Sequence, residues 1–462
     1  MRAAKPQLFR IEANSTTPLK PRATNNTKGA QGILVNSEPE GLGEGRGRLL
    51  VLAFLAFLAG AASGFLGAAF RLALERADRF RDSAVAWAHG EALAGLLLII
   101  SVAAAATALA AWLVRRFSPD ATGSGIPVVE AELQKEQPEA PLRLIPVKFI
   151  GGVLAMGAGL ALGREGPTIQ MGASLAHLFG TTFRRDSDEC RALLAAGAGA
   201  GLATAFNAPI AGAVFVLEEL VRRFETRITI TTLGASAGAI AVARVLLGTR
   251  PDFHVGPLPY SGFRAVPIHI ALGIVAGFLG VAYNRTILGA LAAAKRLHRL
   301  PVELRAALVG ASVGLLAWLA PAVVGGGDLI TQRTLGGEEV LATLVLVFVL
   351  RFALGPVSYA AGTPGGLFAP MLVLGSQTGL LFGVLCGSLF PVVAAHSTEL
   401  AVAGMAAFFT AVVRAPVTGI ILVMEMTGTF TQFLPMLGAC FAAMLVPTLL
   451  RDPPIYDSLR PE

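Results

Sequence analysis

From Phe352 to Thr398 the chain runs 47 residues without a formal charge. A hydrocarbon slab of about 30 Å takes about 20 apolar residues in a helix. One helix cannot use a stretch of that length. Two simple spans cannot share it cleanly, because Gly365, Gly366 and Pro370 break it near its middle. A broken apolar stretch calls for tilted helices that start or stop inside the membrane, with the interrupted backbone buried in protein. Other uncharged runs, including Leu49–Phe70, Ala92–Val114, Ala192–Leu217, Ala306–Gly327 and Met426–Leu450, extend the pattern along the chain. Only 15% of residues are Asp, Glu, Lys or Arg, against about 25% in an ordinary globular chain. This excludes a soluble enzyme or a DNA-binding protein and predicts an all-α polytopic membrane protein.

The net charge of +7 does not mark a nucleic-acid partner. Residues 1–48 hold eight basic and four acidic residues, and further cations cluster in short loops such as Lys295–Arg299. Basic loops are the ones retained on the cytoplasmic side. Residues 1–48 are polar, lack the apolar core of a signal peptide, and read as a cytoplasmic tail. The last apolar run ends near Leu450, leaving no room before Glu462 for a regulatory domain. Cys190, Cys386 and Cys440 are far apart and form no metal-binding or redox pair. No metal site and no cofactor are expected.

The sequence repeats itself. Ala195–Glu219 and Val402–Met426 align at an offset of 207, matching Ala196/Ala403, Gly197/Gly404, Ala208/Ala415, Pro209/Pro416, Gly212/Gly419 and Glu218/Glu425. Upstream, an offset of 203 matches Gly163/Gly366, Pro167/Pro370, Gly172/Gly375 and Gly180/Gly383, and sets Glu165 opposite Phe368. Both pairs occur in the same order, so the chain is read as two homologous halves, about 49–243 and 265–450. The polar stretch Arg244–Arg264 marks the boundary between them.

Three Gly/Pro motifs interrupt the apolar sequence. They are Gly123-Ser124-Gly125-Ile126-Pro127, Gly163-Arg164-Glu165-Gly166-Pro167 and Gly365-Gly366-Leu367-Phe368-Ala369-Pro370. Proline is preferred in the first helical turn, where its missing N–H would be unpaired in any case. Each motif should therefore open a helix. A helix start presents free N–H groups and about half a positive charge. Several such ends converging would attract an anion weakly enough to let it leave again.

GSGIP, GREGP and GGLFAP, in that order and spacing, resemble the CLC family of chloride channels and chloride/proton exchangers. Tyr456, in Pro453-Pro454-Ile455-Tyr456, completes the family's set, and the resemblance covers about residues 50–459. It implies a CLC-type fold of two inverted-topology repeats in a transmembrane domain of about 49–459. It also implies a homodimer in the lipid bilayer with one ion pathway per subunit. A bacterial inner membrane is the expected location, with both termini cytoplasmic. Ser124 and Tyr456 would coordinate chloride through their hydroxyls. Backbone amides near Ile126–Pro127, Gly166 and Leu367–Phe368 would line the path.

A carboxylate inside a bilayer is a functional candidate by default. Glu165 sits at an anion-favouring helix start, where it can occupy the site an incoming anion would use, and protonation would free that site. A pair with the adjacent Arg164 is the structural alternative. Glu218 and Glu219 end an apolar run ahead of Arg222 and Arg223, where an interfacial salt-bridge cluster is the alternative. The resemblance implies that Glu165 is the external gate and proton acceptor and Glu219 the internal proton-transfer residue. Glu218, with Glu425 as its repeat partner, reads as structural. Lys148 reads equally as a source of positive potential or an interfacial anchor. Ser174 and His177 lie three apart without a partner acid, so a helix–helix hydrogen bond is expected there rather than a hydrolase site. The resulting expectation is a chloride/proton antiporter, with a passive voltage- or pH-gated chloride channel on the same fold as the alternative. Glu219 is the feature that argues for coupling, and Ser124 the one that argues for chloride over nitrate.

Overall fold

The computed structural model describes residues 41–136, 141–258, 263–337, 340–389 and 396–460. Of the expected tail, residues 1–40 lie outside the described residues. The chain divides into two units, Met1–Gly45 and Arg46–Glu462, and the second holds the apolar runs and all three motifs.

The described residues form helices joined by short connections. The first half carries α1 (Gly41–Ala88), α2 (Ala92–Phe117), α3 (Ile126–Leu133), α4 (Leu144–Gly157), α5 (Glu165–Thr182), α6 (Ser187–Phe206), α7 (Pro209–Phe215) and α8 (Thr226–Leu247). The second carries α9 (Val266–Arg296), α10 (Val302–Leu319), α11 (Asp328–Gly336), α12 (Leu341–Tyr359), α13 (Phe368–Leu389), α14 (Ser397–Val413), α15 (Pro416–Thr427) and α16 (Phe433–Leu449). A one-turn helix, α17 (Ile455–Ser458), follows. The uncharged stretch from Phe352 thus holds the end of α12, a loop, and α13, as its central glycines and proline require.

Composition decides which helices are central. α6 and α14 are built largely from small and apolar residues and are buried along almost their whole length. α5 packs on α6 and α13 on α14. In each pair a glycine removes the side chain that would block contact. A Cβ on Gly172 would lie 2.5 Å from the Gly197 carbonyl oxygen, and one on Gly375 would lie 2.6 Å from that of Gly404. These four residues are the ones matched by the repeat. Such close backbone approach supplies dispersion contact in a setting where lipid offers no hydrophobic drive for helices to associate. Aromatic residues fill the centre, where Phe206, Phe215 and Phe409 surround Phe368. The long helices outside this centre expose large apolar side chains, among them Phe54 and Leu97 in the first half and Phe278, Leu346 and Phe441 in the second. Six described helical stretches are long and apolar enough to cross a membrane. The chain is a multi-pass integral membrane protein.

The two halves share local geometry as well as sequence. Asn207, between α6 and α7, has φ +50°, and its repeat partner Arg414, between α14 and α15, has φ +74°. Pro209 and Pro416 open the next helices. Gly125 and Gly327, each in the left-handed region, precede α3 and α11. Gly163 and Gly366 pair with each other in an antiparallel bridge, as expected where repeat-equivalent segments meet in opposite directions.

Candidate ion pathway

Backbone hydrogen bonds join the three Gly/Pro motifs. The Gly163 and Gly366 amides each donate to the other's carbonyl, at 2.9 and 2.7 Å. The Gly123 amide donates to the Thr363 carbonyl at 3.0 Å, and the Gly365 amide to that of Gly123 at 3.1 Å. Ser124 lies against Gly166, where an added Cβ would come within 2.5 Å of the serine hydroxyl. Motifs far apart in sequence therefore meet at one place, and α3, α5 and α13 all begin there. Gly125, at φ +80°, makes the turn into α3. Pro127 and Pro167 fall in the first turns of α3 and α5 and Pro370 in that of α13, as the sequence predicts. Pro127 carries no N–H, so the amides free at the start of α3 are those beside it, Ile126 among them.

Glu165, in the first turn of α5, is fully buried. Its Oε1 accepts a hydrogen bond from the Ala369 amide at 3.1 Å, and the amides of Phe368 and Glu165 itself also face the carboxylate. The side chain thus caps the start of α13, the partner helix in the other half. Hydrogen bonds from amides to a charged acceptor contribute roughly 1.5–3 kcal/mol each, which offsets part of the desolvation cost. Gly366 leaves the room, since a Cβ there would stand 2.7 Å from Oε1. Oε2 is buried without a partner.

The alternative pair of Glu165 with Arg164 does not form. The guanidinium turns away, donating to the Ala205 carbonyl at 2.9 Å, Asp328 at 2.9 Å and Asp252 at 3.2 Å. Asp252 also binds Arg71 at 2.8 Å. Arg164 therefore fixes the loop, while the neighbouring carboxylate is left to the helix starts. Beside this loop a cavity of 610 Å³ is lined by Gly163, Arg164 and Ala369 together with residues of α1 and the Pro321–Ile330 segment.

The hydroxyls of Ser124 and Tyr456 are both buried and face each other, and neither makes a well-formed hydrogen bond. Tyr456 reaches its place on α17, and its ring stacks on Phe368 with centroids 6.1 Å apart. Leu367 and Phe368 are fully buried at the start of α13. Buried hydroxyls are normally hydrogen-bonded. Two left open beside converging helix starts are what an anion coordinated by uncharged donors requires.

Lys148 is not exposed. It is fully buried on α4, and its ammonium donates to the carbonyls of Gly123 at 2.8 Å and Ala121 at 3.1 Å. It places a cation directly against the motif that carries Ser124.

Glu219 lies in a π turn, Val216–Leu220, that continues α7. π turns recur at functional sites because they insert a residue into the helical register. Here the turn leaves Glu218 and Glu219 pointing to different partners. Glu218 accepts from the Val417 and Thr418 amides at 3.0 and 2.6 Å and from the Thr418 hydroxyl at 2.7 Å, capping α15. Glu425 returns the contact, accepting from the Ile210 and Ala211 amides of α7 at 3.1 and 2.8 Å. Glu219 is 3% exposed and lies 3.5 Å from Arg222, next to a 380 Å³ cavity that also touches Arg414 and Pro454.

The contacts revise the expectation for Ser174 and His177. Ser174 donates to the Gln170 carbonyl within its own helix, at 3.0 Å, and does not engage His177. The His177 Nδ1 is buried without a partner, so the helix–helix bond expected for it is not formed. Glu130 and Arg351 are among the buried charges that were not expected site residues. Glu130 is fully buried on α3 and pairs with Arg460 and Arg222. An acid one turn into a short, mainly apolar helix was the available signal. Arg351 is buried too, and its guanidinium holds the carbonyls of Val323, Gly325 and Gly326.

Helices that break where three motifs meet, around buried carboxylates and open hydroxyls, define an ion-transport protein of the CLC fold. The family described as voltage gated chloride channel matches residues 106–448, and the chain belongs to that family. The H(+)/Cl(-) exchange transporter ClcA of Yersinia pseudotuberculosis is 37% identical over 440 residues, covering 91% of this chain and 92% of the relative. ClcA of Salmonella typhimurium is 36% identical over 417 residues, covering 89% and 88%. Among solved structures, a slow cyanobacterial Cl-/H+ antiporter superposes with a TM-score of 0.83 at 33% identity, covering 88% of this chain and 97% of that one.

Proposed function

We propose that the protein is a chloride/proton antiporter, moving chloride one way across the membrane and protons the other. The observation that carries this reading is the seat of Glu165. A carboxylate held by the amides at the start of α13 occupies the place an anion would take. Chloride and the ionised side chain therefore compete for one set of donors. Protonation removes the charge, weakens the amide bonds and opens the site. Ser124 and Tyr456 coordinate chloride further along, and the amides of Ile126, Gly166, Leu367 and Phe368 complete the path. The motif residues Gly123, Gly125, Pro127, Gly163, Arg164, Pro167, Gly366 and Pro370 shape the loops that aim these donors. Glu219 passes protons between Glu165 and the cytoplasm.

In this reading Glu165 faces outward and Glu219 inward, with both termini cytoplasmic, in a bacterial inner membrane. The pathway lies in a transmembrane domain of residues 49–459, with repeats at about 49–243 and 265–450. The protein acts as a homodimer with one pathway in each subunit. The ClcA relatives and the cyanobacterial neighbour, both described as proton-coupled chloride transporters, support coupling over a passive channel.

The test uses purified protein in liposomes, with chloride and pH electrodes. An imposed chloride gradient should drive protons uphill, in the direction opposite to chloride. Chloride movement with no uphill proton flux would identify the protein as a channel.

A further inference from the structure

Five charged side chains meet at the Tyr456 end of the pathway, and proton transfer through Glu219 accounts for only one of them. Arg222 is their hub. Its Nη2 lies 2.7 Å from Asp457, 3.3 Å from Glu130 and 3.5 Å from Glu219. Its Nε donates to the Glu219 carbonyl at 3.1 Å. Arg460 closes the cluster, binding Glu130 and lying 3.3 Å from Asp457. Arg222 has φ +55°, a conformation that side-chain-bearing residues rarely adopt. Strain of this kind persists only where surrounding contacts hold it.

The consequence lies in what each partner carries. Asp457 is the residue after Tyr456, on a helix of one turn that cannot hold its own position. Glu130 is one turn beyond Ile126 on α3, the helix that Ser124 precedes. One guanidinium is thus shared between the proton-transfer carboxylate and the segments that carry both chloride-binding hydroxyls. The charged groups facing Glu219 are Arg222, Glu130, Asp457, Glu218 and Arg414. Among these, Glu218 is engaged by α15 amides.

We propose that Arg222 is a positioning residue that couples the charge on Glu219 to the hold on Tyr456, through Asp457. When Glu219 takes a proton, one of three anions competing for Arg222 disappears. The guanidinium is then left to Asp457 and Glu130, and α17 is held more firmly. When Glu219 gives the proton up, it draws Arg222 back and the hold loosens. Chloride therefore meets its firmest barrier at this end while the proton is in place. This rests on the antiport reading.

The test measures chloride turnover and the proton-to-chloride ratio in liposomes for variants of Asp457 and Arg222, alone and on altered backgrounds. Asp457→Asn is expected to raise chloride turnover several-fold and lower the ratio, with Asp457→Glu restoring both. In a Tyr456→Ala background Asp457→Asn should add no further acceleration, because the barrier it supports is gone. Arg222→Gln should do both at once, raising turnover and lowering the ratio, with Arg222→Lys intermediate. The acceleration by Asp457→Asn should be larger on a Glu219→Gln background, where the residue stays uncharged. Unchanged turnover in Asp457→Asn, equal acceleration with and without Tyr456, or an Arg222→Gln variant that loses proton flux alone would overturn the proposal. If wild-type protein moves no protons uphill, it is the antiport reading that fails. Wild-type thermal stability in each variant, read by unfolding in detergent, separates a positional effect from a folding defect, and Arg222→Lys serves where Arg222→Gln does not fold.

Discussion

The starts of α5 and α13 are the same piece of backbone used twice, and they differ where it matters most. Gly163 and Gly366 exchange hydrogen bonds, Pro167 and Pro370 occupy equivalent places, and each helix leads into a glycine-paired neighbour. Where α5 carries Glu165, α13 carries Phe368. The carboxylate then caps the other half's helix, and the ring fills the centre between Phe206, Phe215, Phe409 and Tyr456. The same contrast recurs in the α7 and α15 region. Glu218 and Glu425 are repeat partners and cap each other's helices, whereas Glu219 stands opposite Met426. Symmetric carboxylates hold the halves together. Glu165 and Glu219 have no acidic counterpart, and each is matched to an apolar residue in the other repeat.

The sharpest way to break this comparison is to make the two helix starts alike. Glu165→Ala removes the titratable side chain from the amide seat. Proton transport should be abolished and chloride flux should lose its dependence on pH, measured with paired electrodes in liposomes. Residual uphill proton movement would show that another group shares the role. Glu219→Ala comes next. It should abolish coupled proton flux while leaving chloride flow, because it removes the asymmetric acid and spares the cap formed by Glu218. A variant that stays fully coupled would end the assignment of Glu219. Lys148→Met is a smaller step. It removes a buried cation that donates to the Gly123 carbonyl, and chloride binding by calorimetry should weaken about tenfold, or about 1.4 kcal/mol. An unchanged affinity together with lowered thermal stability would make Lys148 an anchor of the loop only.

The frame was legible in the sequence because the frame is local. A proline in the first helical turn is written within a short window, and the glycines where backbones touch show because the same short patterns occur twice in the chain. The uncharged stretch from Phe352 to Thr398 already required the break between α12 and α13. The ion pairs were not legible for the converse reason. Arg164 finds Asp252 and Asp328, and Glu130 finds Arg460, across distances in the chain that no spacing encodes. The pair of Arg164 with Glu165 stood in the sequence only as an alternative and does not form, because a helix start sends successive side chains to different sides. Glu218 and Glu219 are neighbours in sequence, and their different partners, the α15 amides for one and Arg222 for the other, appear only in the structure.

The smallest effect tests the symmetric side of the comparison. Glu218→Gln and Glu425→Gln each keep the shape of the side chain but leave one neutral acceptor oxygen where two charged ones each held a backbone amide, so one amide loses its partner. Each should cost about 1–2 kcal/mol of stability, the range for losing a cap or a charge-assisted bond. The two costs should be similar, because each side chain binds two successive amides in the first turn of the partner helix. Glu218 also accepts from the Thr418 hydroxyl, so its variant should be the more affected of the two. Unfolding in detergent gives both numbers, and the liposome assay gives the proton-to-chloride ratio. If the ratio is unchanged in both variants, the carboxylates are structural in proportion to their symmetry. If Glu218→Gln alone lowers it, one half of a symmetric pair has been drawn into proton transfer, and symmetry no longer separates frame from function.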